Sequence, residues 1–593
     1  MPQGKHSQWI DLPLALDWEL MQPAHTASSI ASYRASVQVS ADSLVLQTQT
    51  IKQRLFNLLP YKTGESVRLQ SRPGLVATSG FNKSATVTNP RGIFYSATLK
   101  ILVEFWNTIL YTWTAANTYA STSAMGAATD GPGGVCQGFD SAGNSYIFAS
   151  TKTKSVSISS SGVHTVISDA DFPTNVVPTP VYLDSYVFIP QFETRKIYNS
   201  GVGDQTSWQA STFIDAEEAS GDVTALAIHH KHVTAFCRER IEFFQDAAIP
   251  SPNSPLMRVA ERKILIGCPN RATLATNGDI IYFLGQTGRG GDIGIYKLED
   301  FKVKKISNPS IDSMMILYGG VARNFGTSQS WSLSSGVDSS TFATGYMIEF
   351  HGKLRYCLVC NGGYAQANDQ VPAWVYDDDL NLWIEIGNVT NSAPSTYVIG
   401  GWTYPYGTVV RTSDASTYAY LYLLQHVYGG TNGTEINGFS DASFNTEIAL
   451  TTGGGASAGN GTNMLLQIDF PPNMLGMAGW KQVGGVVLDI HWPLGLATSS
   501  LGVVDLARLR SEFRVINRPL SNGNYSAVLN TGNKLNLKTV EYIPSNEEQQ
   551  QVFIRSFGIY KTPTTTLMYA PNTTAGPLHI YGVKIRVTPH EEL

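Results

Sequence analysis

The chain has 593 residues, and only 15% of them are charged, against about a quarter in average proteins. Its 41 Lys and Arg stand against 46 Asp and Glu, a net charge of -5, which disfavours tight general binding to nucleic acid. Hydrophobic residues make up 42% and aromatic residues 11%, so the chain can fold around a large core and is not a disordered protein.

Residues 1–60 predict an N-terminal arm that leads into the main body of the chain. The best helix candidates of the sequence lie near residues 29–33 and over residues 50–59. Acidic residues interrupt the apolar part of the first 20 residues, which argues against a signal peptide. No apolar run is long enough to predict a membrane-spanning helix.

Short β-patterned runs, separated by Gly, Asn, Asp and Ser turns, follow from about residue 92. In a loose repeat, two apolar strands are joined by a tight turn and followed by a third strand with an aromatic residue. The third-strand candidates are residues 195–198, 240–244, 294–298 and 373–376. The first three start 45 and 54 residues apart, close to the roughly 40–50 residues of one four-stranded propeller blade. The longer last interval indicates an insertion or a missed blade. We therefore predict a β-propeller over 61–450, with an irregular array of β-sandwiches as the alternative.

A Gly-rich tract at residues 451–462, TTGGGASAGNGT, predicts a flexible linker or loop. The segment after it contains further β-patterned runs, such as residues 484–492 and the alternating residues 580–587. These runs predict a sandwich-like C-terminal β-domain over 463–593. The predicted fold class is therefore mainly β, a propeller with an additional C-terminal β-domain and an N-terminal arm.

The search for catalytic and metal-binding motifs is mostly negative. The sequence has no phosphate-binding loop and no H-E-x-x-H pair. The letters G-x-S-x-G occur at 455–459 within the Gly-rich tract, without the strand and helix that a nucleophile elbow needs. Cys357 and Cys360 form a C-x-x-C in an apolar strand, which places them on opposite faces, so we interpret them as buried thiols. We predict no catalytic residue, no cofactor and no metal.

Two polar clusters have a functional and a plain interpretation. The tract 229–232, HHKH, could bind a metal, but a solvated turn between blade strands is the favoured interpretation. Residues 377–381, DDDLN, space oxygen ligands as calcium loops do. Because Leu382 stands where the EF-hand pattern needs Gly, we favour a hairpin turn made by Asp and Asn.

Two stretches carry a family resemblance. The first lies in the leading segment (residues 53–75), where QRLFNLLP at 53–60 is followed by SRPGL at 71–75. The second is VTAFCRERIEFFQD at 233–246, an apolar strand, a basic turn and an I-E-F-F strand. Together they resemble the packaged-DNA stabilisation proteins, the tail nozzle or hub proteins of short-tailed bacteriophages. The positions that match the family motifs, all of them structural, are Arg54, Asn57, Pro60, Pro73, Gly74, Arg240, Ile241, Glu242, Phe243 and Phe244.

The resemblance implies a virion structural protein of the phage tail, made in the bacterial host cytoplasm, that is not an enzyme. Six copies would form a ring below the portal and adaptor proteins. The ring would contact tail fibre, spike or needle proteins, retain the packaged genome and let double-stranded DNA pass on ejection. A weakly charged channel wall suits such passage, because each neutralised phosphate adds to affinity. The alternative is a propeller-type phage or secreted protein that binds or cleaves glycans.

The strand in the second motif predicts its own packing. Ile241 and Phe243 share one face of the strand, and Phe244 points the other way. In a propeller, each face of a blade meets a neighbouring blade. We therefore expect Phe243 to be buried on one side and Phe244 on the other, with Arg240 at the solvated edge.

Overall fold

The computed structural model describes residues 8–12, 54–63, 66–72 and 76–77, nearly all of 90–308, and single residues within 311–315. It also describes 343–386, except 351–352 and 361–372, and separate strands between 396 and 590. In these residues β-strands dominate, and none of their helices is long and apolar enough to cross a membrane.

Five strands precede the propeller blades in the chain. They are β1 (Gln8–Leu12), β2 (Arg54–Phe56), β3 (Leu58–Thr63), β4 (Ser66–Ser71) and β5 (Val76–Ala77). The helix predicted over 50–59 is wrong, because its described residues lie in β2, β3 and the bend between them. Leu55, Leu58 and Leu59 are all buried. Apolar residues on several sides of a short segment do not distinguish a strand from a helix. The helix candidate at 29–33 lies outside the described residues.

Five four-stranded antiparallel blades follow in chain order. Blade 1 comprises β6 (Pro90–Ser96), β7 (Ile101–Trp106), β8 (Ile109–Ala115) and β9 (Thr118–Ala124). Blade 2 comprises β10 (Gly134–Phe139), β11 (Ser145–Ser150), β12 (Ser155–Ile158) and β13 (His164–Val166). Blade 3 comprises β14 (Val181–Leu183), β15 (Tyr186–Pro190), β16 (Lys196–Gly201) and β17 (Asp204–Asp215). Blade 4 comprises β18 (Val223–His229), β19 (His232–Cys237), β20 (Ile241–Asp246) and β21 (Leu256–Ile264). A short 3-10 helix (Arg271–Thr273) precedes blade 5, which comprises β22 (Ala275–Asn277), β23 (Ile280–Gln286), β24 (Ile293–Glu299) and β25 (Lys302–Lys305).

Two further blades complete the ring. Blade 6 comprises β26 (Ala343–Phe350), β27 (Lys353–Cys360), β28 (Ala373–Asp377) and β29 (Leu382–Ile386). Blade 7 comprises β30 (Thr396–Thr403), β31 (Tyr406–Thr412) and β32 (Tyr418–Leu423), and β5 is its fourth strand. Strand β30 contacts both β26 and β6, which closes a seven-bladed propeller. Strand β5 precedes blade 1 in the chain and pairs with β32 of blade 7. It therefore closes the ring by linking the first blade to the last.

The four predicted third strands are confirmed as β16, β20, β24 and β28. Strand β22 of blade 5 contacts β26 of blade 6 directly, so these two blades are neighbours. The long interval in the sequence pattern is therefore an insertion between β25 and β26, and no blade is missed there.

Strands from the two ends of the chain share sheets. The remaining strands are β33 (Thr446–Ile448), β34 (Gly461–Asn463), β35 (Leu466–Asp469), β36 (Trp480–His491), β37 (Arg514–Val515), β38 (Gln550–Tyr560), β39 (Thr566–Tyr569) and β40 (His579–His590). One sheet has the order β3-β4-β40-β36-β38, with β1 also paired to β40. Strands β2, β35, β39 and β37 extend blade 6 from β29. The domain boundaries at 60, 450 and 462 stay a prediction, and residues 451–460 of the linker lie outside the described residues.

The hydrophobic core of the propeller lies between neighbouring blades. One cluster joins blades 1 and 2, and others join blades 2 and 3, 3 and 4, 4 and 5, and 5 and 6. A twisted sheet with two apolar faces cannot bury both of them alone, and stacking in a ring covers them. This explains why strands such as β19 and β20 are buried along most of their length.

Candidate functional site

The leading segment is joined to the propeller at blade 6. Asn57 is fully buried and adopts a φ of 58°, a left-handed conformation that Asn tolerates better than most residues. Its backbone N–H donates to the Glu385 carbonyl at 2.9 Å, and its side-chain Oδ1 accepts from Arg72 Nε at 2.7 Å. Its own carbonyl accepts from the Arg72 N–H at 3.1 Å. Asn57 is therefore hydrogen-bonded both to strand β29 and to the residue that follows strand β4.

A buried ion pair lies beside this joint. Arg355 and Asp377 are fully buried, and Arg355 Nε lies 2.9 Å from Asp377 Oδ2. Arg355 also donates to the carbonyl of Pro60 at 3.2 Å, and its guanidinium lies 4.9 Å from the centre of the Tyr61 ring. Lys353 Nζ contacts the second Asp377 oxygen at 2.6 Å. One network thus connects β27 and β28 of the propeller to β3.

Burial governs the titratable groups at this joint. It raises the pKa of Tyr61 to about 12, although the Arg355 guanidinium acts in the opposite direction. It also raises the pKa of the Cys357 thiol to about 12, against hydrogen bonding with Tyr346 and the nearby Arg72. These groups therefore stay protonated at neutral pH, and the joint offers a phenol and a thiol without nucleophilic character.

The residues predicted in the leading segment fall partly on this joint. The structure places Asn57 and Pro60 in it, and Arg54 lies in β2, where its side chain is outside the description. Pro73 and Gly74 lie outside the described residues, so the type II turn stays a prediction. The sequence analysis missed Lys353 and Arg355 and saw Asp377 only as a turn residue. Two cations two positions apart in the otherwise apolar strand β27 could have indicated a buried anionic partner.

The second motif forms strand β20 at the centre of blade 4. Ile241 and Phe243 belong to a core cluster with Phe283 and Leu298 of blade 5. Phe244 belongs to a separate cluster with Phe188 of blade 3. All three motif residues are fully buried. This is the two-sided burial that the alternation predicted.

Glu242 is a buried charge within the same strand. Only 2% of the residue is exposed, and its Oε2 lies 3.1 Å from Arg258 Nε on the neighbouring strand β21. Arg258 also donates to the Asp215 carbonyl of blade 3 at 2.7 Å. The Glu242–Arg258 pair therefore extends the contact between blades 3 and 4 beyond the hydrophobic cluster. Arg240 lies at the partly exposed turn before the strand.

The interpretation of the HHKH tract as solvated is wrong for His229. His229 is fully buried between blades 4 and 5. Its Nδ1 lies 2.6 Å from the Asp279 carbonyl, and its Nε2 accepts from the Phe301 N–H at 3.1 Å. An imidazole that donates at one nitrogen and accepts at the other is neutral. His230 and Lys231 form the turn between β18 and β19, and both have positive φ. Through His229, this turn is hydrogen-bonded to the β22–β23 turn at Asp279 and to the β24–β25 turn at Phe301.

Two histidines, the buried His229 and the partly exposed His164, predict that the protein loses stability in acid. Burial lowers the pKa of His229, and it lowers the pKa of His164 to about 4. In the unfolded chain a histidine binds a proton below about pH 6.5, whereas in the folded protein these two histidines are harder to protonate. The free energy of unfolding therefore falls progressively as the pH drops below about 6.5. We expect the free energy of unfolding to be lower at pH 5 than at pH 7, by about 1 kcal/mol for the partly exposed His164. Urea melts at both pH values of the parent and of His164→Gln measure this, and an equal pH effect in both would contradict the role of His164.

The remaining polar motifs behave as structural elements. Residues 378–381 form the hairpin turn between β28 and β29, which confirms the turn interpretation. Its carboxylates lie beside cations, Asp378 with Lys297 at 2.9 Å and Asp379 with Lys353 at 2.6 Å. Cys357 is a buried free thiol, as predicted, and Cys360 ends β27. Among the described residues, no group of three or more His, Cys, Asp and Glu could hold a metal ion.

Comparison with known proteins identifies the propeller. Residues 75–322 match the family model described as "Bacteriophage P22 Gp10, beta-propeller". The match begins beside the closing strand β5 and extends beyond blade 5, less than half of the chain. This part of the chain is similar to the bacteriophage Gp10 propeller family. The match confirms the resemblance to this phage family, and it contains the second sequence motif at 233–246. It supports a structural role in a phage particle.

The solved structures found in the comparison are only distantly similar to this chain. The Neurospora crassa Pan2 WD40 domain is 10% identical, with a TM-score of 0.35, over 61% of this chain and 98% of that one. Virginiamycin B lyase from Staphylococcus aureus is 11% identical, with a TM-score of 0.32, over 58% of this chain and 98% of that one. Both identities are too low to transfer an activity. No curated protein matches the chain.

Proposed function

We propose that this protein is the tail nozzle of a short-tailed phage. In this role it forms a ring that extends the DNA channel below the portal and adaptor, retains the packaged genome and lets it pass on ejection. The observation that carries the proposal is the match of β5 and blades 1–5 to the Gp10 propeller family. The protein is then a component of the virion tail.

The closure of the propeller suits a permanent structural part. Strand β5 completes blade 7, so opening the ring requires the loss of its pairing with β32. The Asn57–Arg72 and Arg355–Asp377 contacts secure the leading segment next to blade 6. A nozzle must hold its shape against the pressure of the packaged genome. The β5–β32 pairing supports this, because it links the first and last blades of the ring.

The low charge of the chain also supports passage of DNA. Only 15% of the residues are charged, and the net charge is -5. A channel that bound many phosphates would hold DNA tightly, because affinity rises with each neutralised phosphate. A weakly acidic protein lets the duplex slide after release.

We extend the proposal to catalysis and partners. The protein performs no reaction, since the family is structural and the acidic turn of blade 6 is occupied by lysine contacts. Six copies form the ring, the portal-adaptor proteins lie above it, and tail fibre, spike or needle proteins attach to it. These partners follow from the resemblance to phage nozzle proteins.

Assembly of the purified protein tests the proposal. We expect the mass of six chains in light scattering after size exclusion, either for the protein alone or once the tail adaptor is added. Tail proteins often assemble only on their template, so the adaptor sample is the decisive one. The same run at high salt shows whether charged contacts hold the ring. A monomer in both samples would contradict the nozzle proposal.

A further inference from the structure

Three hairpin turns of blades 2 and 3 meet at Gly203. The Ser141 N–H donates to the Gly203 carbonyl at 2.9 Å, and the Gly203 N–H donates to the Ser185 carbonyl at 2.8 Å. Gly203 has a φ of 61°, and an added Cβ would lie 2.8 Å from Ser141 N, so only glycine fits this crossing. The β10–β11, β14–β15 and β16–β17 turns therefore form one continuous surface.

This surface exposes apolar side chains and carboxylates together. Phe139, at the end of β10, is 49% exposed, and Val202, in the β16–β17 turn, is 65% exposed. Polar residues are more usual at such turns. Asp184 and Asp204 are exposed beside them. We name the set of Phe139, Asp184, Val202 and Asp204 the turn patch. Exposed apolar groups rimmed by charge are typical of a protein interaction site.

A surface of opposite charge lies on the outer strands of blades 4 and 5. Arg262 and Lys263 on β21 and Lys302 and Lys304 on β25 are all exposed, and we name these four residues the basic rim. Leu265, directly after β21, is 62% exposed. The rim thus combines cations with an exposed apolar side chain, as the turn patch combines carboxylates with two.

The two surfaces belong to regions of opposite charge. Residues 134–222, which span blades 2 and 3, carry ten Asp and Glu against four Lys and Arg. Residues 223–305, which span blades 4 and 5, carry twelve Lys and Arg against eight Asp and Glu. A chain with separate acidic and basic sectors attracts a second copy of itself in a head-to-tail orientation.

We propose that the turn patch of one copy binds the basic rim of a second copy. The inference rests on the proposed ring and names the surfaces that build it. Because the two surfaces differ, the contact is heterologous, and it closes a ring when the rotation per copy closes. Exposed lysines on edge strands oppose the addition of another strand, so the contact is made by side chains.

Two variants test the contact from its two sides. The rim variant carries Lys302→Glu and Lys304→Glu, and the patch variant carries Phe139→Lys and Val202→Lys. Each places like charges in the proposed contact, and we expect self-association at least about 100-fold weaker in both. An equimolar mixture of the two should recover association, to at least a 1:1 dimer, because the native patch of the rim variant can bind the native rim of the patch variant. The controls are Lys154→Glu and Glu193→Lys, which should leave assembly unchanged. Lys154 lies between β11 and β12 and Glu193 between β15 and β16, at the ends of blades 2 and 3 away from the turn patch.

The outcomes separate this contact from the nozzle proposal. Rings that persist in the rim variant or the patch variant would overturn the contact and leave the nozzle intact. Loss of rings in both variants without a dimer in the mixture would also overturn it. A parent protein that stays monomeric with the adaptor contradicts both proposals. A rim variant that keeps its rings but loses binding to a DNA duplex would assign the rim to DNA and overturn the contact. Thermal melts by circular dichroism check that each variant is folded.

Discussion

Replacing Asp377 by Ala is expected to lower the free energy of unfolding by about 3–5 kcal/mol. The substitution removes the carboxylate that faces Arg355 at 2.9 Å and Lys353 at 2.6 Å. Arg355 is fully buried, so its guanidinium would lose its anionic partner in a medium that solvates charge poorly. Urea unfolding of Asp377→Ala and the parent at pH 7 measures the difference.

Asp379→Ala is the matched control for this prediction. Asp379 contacts the same Lys353 at 2.6 Å, but its side chain is 70% exposed. We expect a loss below about 1 kcal/mol, because exposed ion pairs contribute little. Equal losses in the two variants would show that burial does not govern this network, and the joint between the leading segment and blade 6 would lose its main support.

Truncation of Phe243 to Ala is expected to destabilise the protein by about 3–5 kcal/mol. Phe243 is fully buried between blades 4 and 5, with the rings of His229 and Phe301 at 6.2 and 5.2 Å from its own. Removing the ring leaves a cavity that the paired strands cannot close, since β20 is held on both sides by β19 and β21. Thermal and urea melts detect the change.

The comparison variant is Val163→Ala, in the turn between β12 and β13 of blade 2. Val163 is 55% exposed, so its truncation should change stability by less than about 0.5 kcal/mol. If Phe243→Ala melts like Val163→Ala, strand β20 is not a buried blade strand in solution, and the blade motif loses its structural meaning.

The sequence predicted those parts of the fold that local pattern determines. Strand β20 was found because apolar residues on both of its faces follow from burial between two blades. The hairpin turn after Asp377 was found because Asp and Asn have turn chemistry of their own. In both cases the sequence signal lies within a few consecutive residues.

The closing strand and the buried joint could not be predicted in the same way. Strand β5 has two residues, and its partner β32 lies more than 300 positions further along the chain. Arg355 and the Pro60 carbonyl are similarly distant, and a single sequence does not say which buried cation meets which backbone oxygen. His229 was misread because histidine is common on solvated turns, and its burial depends on the Phe301 backbone of the next blade.

Electron microscopy of the purified protein, alone and with its tail adaptor, tests the nozzle proposal most directly. The account predicts closed rings of six chains, each with a seven-bladed propeller, around a passage wide enough for a DNA duplex. Single propellers in both samples, or open filaments in place of rings, would contradict it.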